Sequence, residues 1–185
     1  TVPLIIEKIF KTKVLPKFQK SPVMRTLYSL SPIRKALHRV AAAKLHKTFG
    51  GELNFFGIGG AKLDGTVERF LKEGKFPYAI GYGLTETSPL LSGAVGKNTG
   101  NGSAGIAMEG VTLRIANADP LTGEGEIQAK GLNVMRGYYK DPEATKEVFT
   151  EDGWFRTGDR GAFNKKNLLE IRGRIKTMIV GASGE

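Results

Sequence analysis

The sequence predicts an α/β fold, and three features carry that prediction. Two apolar runs, 52–58 and 76–80, each empty into a glycine-lined corner, and a helical segment starting at Asp64 and closed by Gly74 lies between them. Strand, helix and strand in that order form a right-handed parallel unit, which takes ligands at the C-terminal ends of its strands. Residues 1–50 repeat apolar positions at helical spacing. Finally, 111–116 and 126–130 alternate and flank Asp119-Pro-Leu-Thr-Gly-Glu-Gly125, the pattern of a β-hairpin.

The 185 residues suffice for one domain, or one domain with part of another, and a 40% hydrophobic content is ordinary for a globular core. There is no cysteine and therefore no disulfide. No apolar run approaches the roughly 18 residues needed to cross a bilayer, and no signal-peptide pattern opens the chain. The expected location is cytoplasmic, with peripheral contact at the inner face of the membrane as an option. The net charge of +10 belongs entirely to residues 1–48, whose only acidic residue is Glu7. That is a local surface facing something anionic or solvent, not a basic protein as such.

In chain order, Pro3 fits the first turn of a helix carrying Ile5, Ile6, Ile9 and Phe10, and lysines 8, 11, 13, 17 and 20 follow. Ser31-Pro32 reads as an N-cap and first helical position, with Ile33, Leu37, Val40, Ala41 and Leu45 on one face and Gly50-Gly51 as the stop. Such a basic helix packs on a core with a solvated outer face, lies on a membrane, or contacts nucleic acid. With no interleaved aromatics, nucleic acid ranks last. His38 and His46 lie eight apart with no carboxylate cluster, so they read as structural or exposed, not as metal ligands.

The richest stretch is 78–89, Tyr-Ala-Ile-Gly-Tyr-Gly-Leu-Thr-Glu-Thr-Ser-Pro. Gly81 and Gly83 let the backbone bend and approach a ligand, and Tyr82 between them offers a ring for stacking on a base. The amides that follow suit a phosphate, and Glu86 suits a hard cation such as Mg2+. Its plainer reading is a strand-to-helix turn in which Glu86 complements a helix dipole. Gly59-Gly60-Ala61, after the first strand, is a second corner or an ordinary tight turn. Asp159, in Trp154-Phe155-Arg156-Thr157-Gly158-Asp159, reads as a carboxylate on a tight turn. It either accepts both hydroxyls of a ribose or bonds its own backbone. The G-x-G-x-x-G at 100–105 is rejected as a dinucleotide loop because the next apolar run, 111–115, alternates like a strand. Asp141-Pro142 opens a capped helix running to about Phe149.

Gly81-Tyr-Gly-Leu-Thr-Glu-Thr87 resembles the signature of the adenylate-forming superfamily, which includes acyl-CoA synthetases, luciferases and peptide-synthetase adenylation domains. Three further matches follow in order: Gly137-Tyr-Tyr-Lys-Asp-Pro-Glu-Ala-Thr145, Trp154 to Asp159, and Gly173-Arg-Ile-Lys176. The resemblance implies ATP/AMP, Mg2+ and coenzyme A as ligands. It implies adenine between Gly59-Gly60-Ala61 and Gly81-Tyr82-Gly83, Thr85 on the α-phosphate and Glu86 on Mg2+. It implies the ribose on Asp159, Arg174 on ribose or phosphate, and Lys176 as the hinge between a large N-terminal and a small C-terminal domain. Strand-end exposure is the plainer reading of Arg174 and Lys176. The opening and the long basic insert are most similar to bacterial long-chain fatty-acid–CoA ligases, which implies a fatty acid as the carboxylate substrate.

Residues 1–77 hold no Ser/Thr/Gly-rich loop ending in Pro-Lys-Gly, and no C-terminal catalytic lysine of the family lies before Glu185. The expectation is therefore the latter part of the large α/β domain with a small β-rich subdomain, ending just past the hinge and inactive by itself. Its expected parts are a basic helical segment (1–50), a βαβ nucleotide-binding portion (51–97), a β-rich subdomain (98–173) and the hinge with the start of the C-terminal domain (174–185). A non-catalytic nucleotide-binding module and a ligase for another carboxylate remain as alternatives.

Overall fold

The computed structural model describes residues 1–100 and 102–175. Lys176 and the short strand expected at 178–180 lie outside the described residues. The chain divides into two compact units, one made of Thr1–Ile80 with Val95–Gly102, the other of Gly81–Ala94 with the chain from Ser103 onward. The segment 51–97 therefore contributes to both.

In the first unit, α1 (Pro3–Ile9) runs into a π-helical stretch (Phe10–Val14) and then α2 (Leu15–Phe18). Ile6, Phe10, Val14 and Phe18 are buried, four residues apart each time, while Ile5 is exposed. In a pure α-helix that spacing drifts steadily around the axis; the wider turn of a π stretch removes the drift and keeps all four on one face. Ser21 caps α3 (Pro22–Ser29) through the Met24 amide. The expected cap of α4 (Ser31–Thr48) is displaced by one residue: Leu30 is the N-cap, and Ser31 is the first helical residue, with no side-chain capping bond. The inward face of α4 keeps Leu37, Ala41 and Leu45 as expected but departs from expectation at Val40. Val40 is 60% exposed, whereas His38, Ala42 and Leu45 are buried.

His38 takes that inward place because polar partners meet it there. Its Nε2 lies 2.7 Å from the Tyr28 hydroxyl, and its Nδ1 lies 2.8 Å from Glu73 Oε2. Glu73 in turn accepts a forked pair of bonds from Arg34 at 2.9–3.3 Å. Burial holds the His38 pKa below its ordinary 6.5, while Arg34 holds Glu73 below its ordinary 4.5. The unfolded chain therefore takes up the His38 proton first. Stability from this group is present above about pH 6.5 and is lost as pH falls from there through the lowered folded pKa. Thermal melts between pH 7 and pH 5 (roughly the His window) are expected to fall in wild type. They should flatten in His38→Gln.

β1 is Phe56–Gly59, shorter than the expected 52–58, because the Leu53 carbonyl is held by His46 Nε2 at 2.8 Å instead of by a strand neighbour. Asp64 caps α5 (Gly65–Glu73) by accepting from the Thr66 and Val67 amides. The Phe76 amide closes the end of that helix on the Leu71 carbonyl, so β2 begins only at Tyr78 and runs to Tyr82. Val67, Phe70 and Leu71 of α5 join Ile6, Phe10 and Ile58 in the core of this unit.

The buried Glu68 accepts from the amides of Gly100 and Gly102 at 2.7 and 3.0 Å. The glycine-rich loop thus wraps an internal carboxylate, which supplies a structural reason why its G-x-G-x-x-G reads wrongly as a dinucleotide loop. Glu68→Gln leaves neither amide a charged acceptor and turns an NH2 donor toward one of them. It should cost about 1–2 kcal/mol, measured by denaturant unfolding.

The second unit is an antiparallel sheet in the order β3 (Ser92–Val95), β4 (Ser103–Ala107), β8 (Leu169–Arg174), β7 (Phe155–Phe163), β6 (Gly125–Gly131), β5 (Val111–Ala116). The expected hairpin is present, with Val111 opposite Gly131 through to Ala116 opposite Glu126. Ala104, Ile127 and Leu169 form its core, with Tyr82 packed against them. Asp141 caps α6 (Pro142–Val148) through the Ala144 amide.

Candidate functional site

The residues that sequence reading singles out in the second unit gather in two clusters. The first is built on Asp159. It does not lie on a tight turn, as expected, but within β7, because the turn at 150–153 closes earlier, through the Thr150 amide on the Trp154 carbonyl. The Asp159 amide donates to Thr157 Oγ1 at 3.1 Å, and that hydroxyl donates to the Ile127 carbonyl at 2.7 Å, so the Thr157 side chain bridges the Asp159 backbone to β6 where the ladder shifts register.

The Tyr82 hydroxyl donates to Asp159 Oδ2 at 2.8 Å, and Arg174 Nε sits 2.9 Å from Oδ1. Arg174 also donates to the Thr157 carbonyl at 3.3 Å. Burial pushes the Asp159 carboxyl above its ordinary range, and Tyr82 and Arg174 oppose that shift by stabilising the anion. Burial and the adjacent carboxylate push the Tyr82 phenol up, so it remains a donor at neutral pH. A carboxylate offers about four acceptor directions. One phenol and one guanidinium occupy two of them, an arrangement able to take a pair of hydroxyls along the remaining edge.

The second cluster is the loop 83–91. No long helix follows Gly83; Thr85–Thr87 is a single 3-10 turn, so Glu86 has no helix dipole to complement. The buried Thr87 hydroxyl accepts from the Leu84 amide at 2.9 Å and lies 3.0 Å from the carbonyls of both Leu84 and Pro89. Asn133 Nδ2 donates to the carbonyls of Thr87 and Leu90, both at 2.8 Å. The Met135 amide donates to the Glu86 carbonyl at 2.8 Å, and the Tyr138 hydroxyl donates to Glu86 Oε1 at 2.9 Å. Thr85 is exposed beside them.

Sequence reasoning did not find Thr87, Asn133, Tyr138 or Thr157 as organisers of the site. The available signal was position, because Thr87, Tyr138 and Thr157 lie inside the matched runs. In the first unit, Gly59 ends β1, Gly60 has φ +86° and Ala61 is exposed, a glycine corner as expected.

Among the described residues no group of three or more His, Asp and Glu side chains could hold a metal. Glu86 is a single carboxylate with one oxygen on Tyr138. That donor set does not make an all-protein cage. It does fit Mg2+, which usually takes one or two carboxylates and completes its shell with water and substrate phosphates.

The sequence profile of the AMP-binding enzyme family matches residues 2–139. Long-chain-fatty-acid–CoA ligase 1 of Saccharomyces cerevisiae is 31% identical over 100% of this chain and 26% of its own length. A long-chain-fatty-acid–CoA ligase of Mycobacterium bovis is 36% identical over 80% of this chain and 23% of its own. A chloroplastic long-chain-fatty-acid–[acyl-carrier-protein] ligase of Arabidopsis thaliana is 30% identical over 97% and 28%. The chain thus spans about a quarter of the length of the curated relatives it matches.

Among solved structures, a malonyl-CoA ligase with methylmalonyl-CoA and AMP bound aligns at TM-score 0.65 and 28% identity, over 94% of this chain and 32% of that one. ATP-bound MatB from Rhodopseudomonas palustris aligns at 0.61 and 30%, over 76% and 29%. No helix among the described residues is long and apolar enough to cross a membrane. With its motifs in order and its mixed α/β structure matching part of these enzymes, the chain belongs to the AMP-binding, adenylate-forming enzyme family.

Proposed function

We propose that this chain supplies the adenosine- and cation-binding part of an ATP-dependent long-chain fatty-acid–CoA ligase. The observation that carries the reading is the Tyr82–Asp159–Arg174 cluster, in which an aromatic ring and a ribose-sized acceptor are held by the same hydrogen bond. In this reading Tyr82 stacks on adenine against the corner at Gly81 and Gly83. Asp159 takes the ribose hydroxyls, Arg174 the ribose or a phosphate, and Thr85 the α-phosphate. Glu86 holds Mg2+, which when bound neutralises charge on the phosphate oxygens. Lys176 serves as the pivot between half-reactions.

The overall chemistry is attack of a carboxylate oxygen on the α-phosphorus of ATP. The bond to pyrophosphate breaks and an acyl-AMP forms. The thiol of coenzyme A then attacks the acyl carbon, and AMP leaves. Charge spreads over phosphate oxygens, so positioned donors and cations do most of the work.

The fatty-acid assignment is supported by the names of the yeast and mycobacterial relatives. The exposed Lys13 and Lys17, four residues apart, give this helical segment a basic side suited to anionic lipid, while Lys11 pairs with Asp64. Pyrophosphate exchange by the full-length protein carrying this chain tests the reading, with palmitate, octanoate, malonate and acetate as substrates. Exchange is expected to be strongest with palmitate. Exchange strongest with malonate or acetate overturns the long-chain assignment. Exchange with none, alongside retained AMP binding, favours a non-catalytic nucleotide-binding module.

A further inference from the structure

The run Gly137–Thr145 looks, in sequence, like nothing more than a capped surface helix. Its internal geometry is organised around one side chain instead. Asp141 caps α6 through the Ala144 amide at 3.0 Å, and this cap fixes the start of the helix on which Thr145 stands. The Thr145 hydroxyl donates to the Asp141 carbonyl at 2.7 Å and accepts from the Tyr138 amide at 2.9 Å. The Asp141 amide returns a bond to the Tyr138 carbonyl at 3.3 Å. Thr145 packs so closely on Gly137 that a Cβ there would meet Thr145 Cγ2 at 2.7 Å, so only glycine leaves room. Both backbone polar groups of Tyr138 are thus tied to α6 and its cap, and the side chain delivers its hydroxyl to Glu86 Oε1 at 2.9 Å. Two residues earlier in the same segment, the Met135 amide holds the Glu86 backbone.

We infer that residues 137–145 form a pedestal that sets the Glu86 carboxylate for a divalent cation, with Tyr138 as the positioning residue and Thr145 as its anchor. This rests on the assignment of Glu86 to Mg2+. A glutamate on a loop has three side-chain torsions to immobilise before it can ligate. A donor fixed on Oε1 removes part of that cost in advance and leaves Oε2 as the oxygen that would take a cation. Partners of this outer kind influence a metal far more than they influence the organic part of the ligand.

The test is ATP affinity of the full-length protein by calorimetry, with Mg2+ and with EDTA, for wild type, Tyr138→Phe, Thr145→Val and Glu86→Gln. The quantity read is the ratio of the two affinities. Tyr138→Phe is expected to lower the Mg2+-dependent gain roughly tenfold while leaving Mg2+-free binding unchanged. Thr145→Val should act in the same direction, more weakly. A purely structural role would lower both affinities together or move only the melting temperature, and either result overturns the proposal. If Glu86→Gln abolishes the Mg2+ gain and Tyr138→Phe does not, the pedestal is wrong and the role of Glu86 stands. If Glu86→Gln leaves the gain intact, the cation assignment fails, and the inference fails with it.

Discussion

Replacing Gly83 with alanine is expected to destabilise the second unit by about 2–4 kcal/mol, the sum of an overpacked contact and a lost hydrogen bond. A Cβ at this position would stand 1.8 Å from the Pro89 carbonyl oxygen, 2.8 Å from its carbon and 2.9 Å from the Leu91 nitrogen. All three are backbone atoms, so no side chain can swing away. The strand-end backbone and the returning loop are also tied by the Leu91 amide on the Tyr82 carbonyl at 2.8 Å, and Asn133 holds the Leu90 carbonyl from the other side. Making room for a methyl group breaks the first bond and strains the second. At roughly 2–4 °C per kcal/mol for a chain of this size, the melting temperature should drop by about 5–15 °C. Because the proposed function places Thr85 and Glu86 of this loop at the nucleotide, it predicts that nucleotide affinity falls as well. A melting temperature within a degree or so of wild type would show that the loop is not packed as described.

The largest effect on binding is expected at Asp159. In the proposed function Asp159 makes two charge-assisted bonds to a ribose; Asp159→Ala would remove them together with the acceptor now shared by the Tyr82 hydroxyl and Arg174. At about 1.5–3 kcal/mol for each bond to a charged group, AMP affinity should weaken at least a hundredfold, read by calorimetry. Tyr82→Phe keeps the ring for stacking and removes only the phenol that supports Asp159. It should weaken binding by roughly tenfold or less. Burial raises the Asp159 pKa. The proton that blocks an acceptor edge therefore arrives at a higher pH than for an ordinary aspartate, and AMP binding should begin to fade correspondingly early on acidification. Wild-type AMP affinity in Asp159→Ala would remove Asp159 from the nucleotide site.

Much of this was legible in the chain. The hairpin 111–131, the Asp64 and Asp141 caps and the core role of Val67, Phe70 and Leu71 follow from short-range patterns, because caps, turns and periodicity are properties of neighbours in sequence. The errors have a common cause. His38 is buried where Val40 was expected, because Tyr28 and Glu73, distant in sequence, give its nitrogens partners. The first strand is short because His46, from α4, claims the Leu53 carbonyl. Asp159 lies on a strand and not on a turn because pairing with β8 reaches it, with Asp159 opposite Arg174.

By itself, the sequence determined the α/β class and the family, and it singled out the short runs on which the proposed function rests, since glycines, hydroxyls and carboxylates at close spacing limit what a loop can bind. Only the tertiary structure decided what orients those groups: Tyr82 on Asp159, Tyr138 on Glu86, Asn133 across the loop at 87–90. Those partners lie 43 to 77 residues apart along the chain. Nothing local encodes such a pairing; it arises when packing brings together polar groups distant in sequence that then find one another as partners.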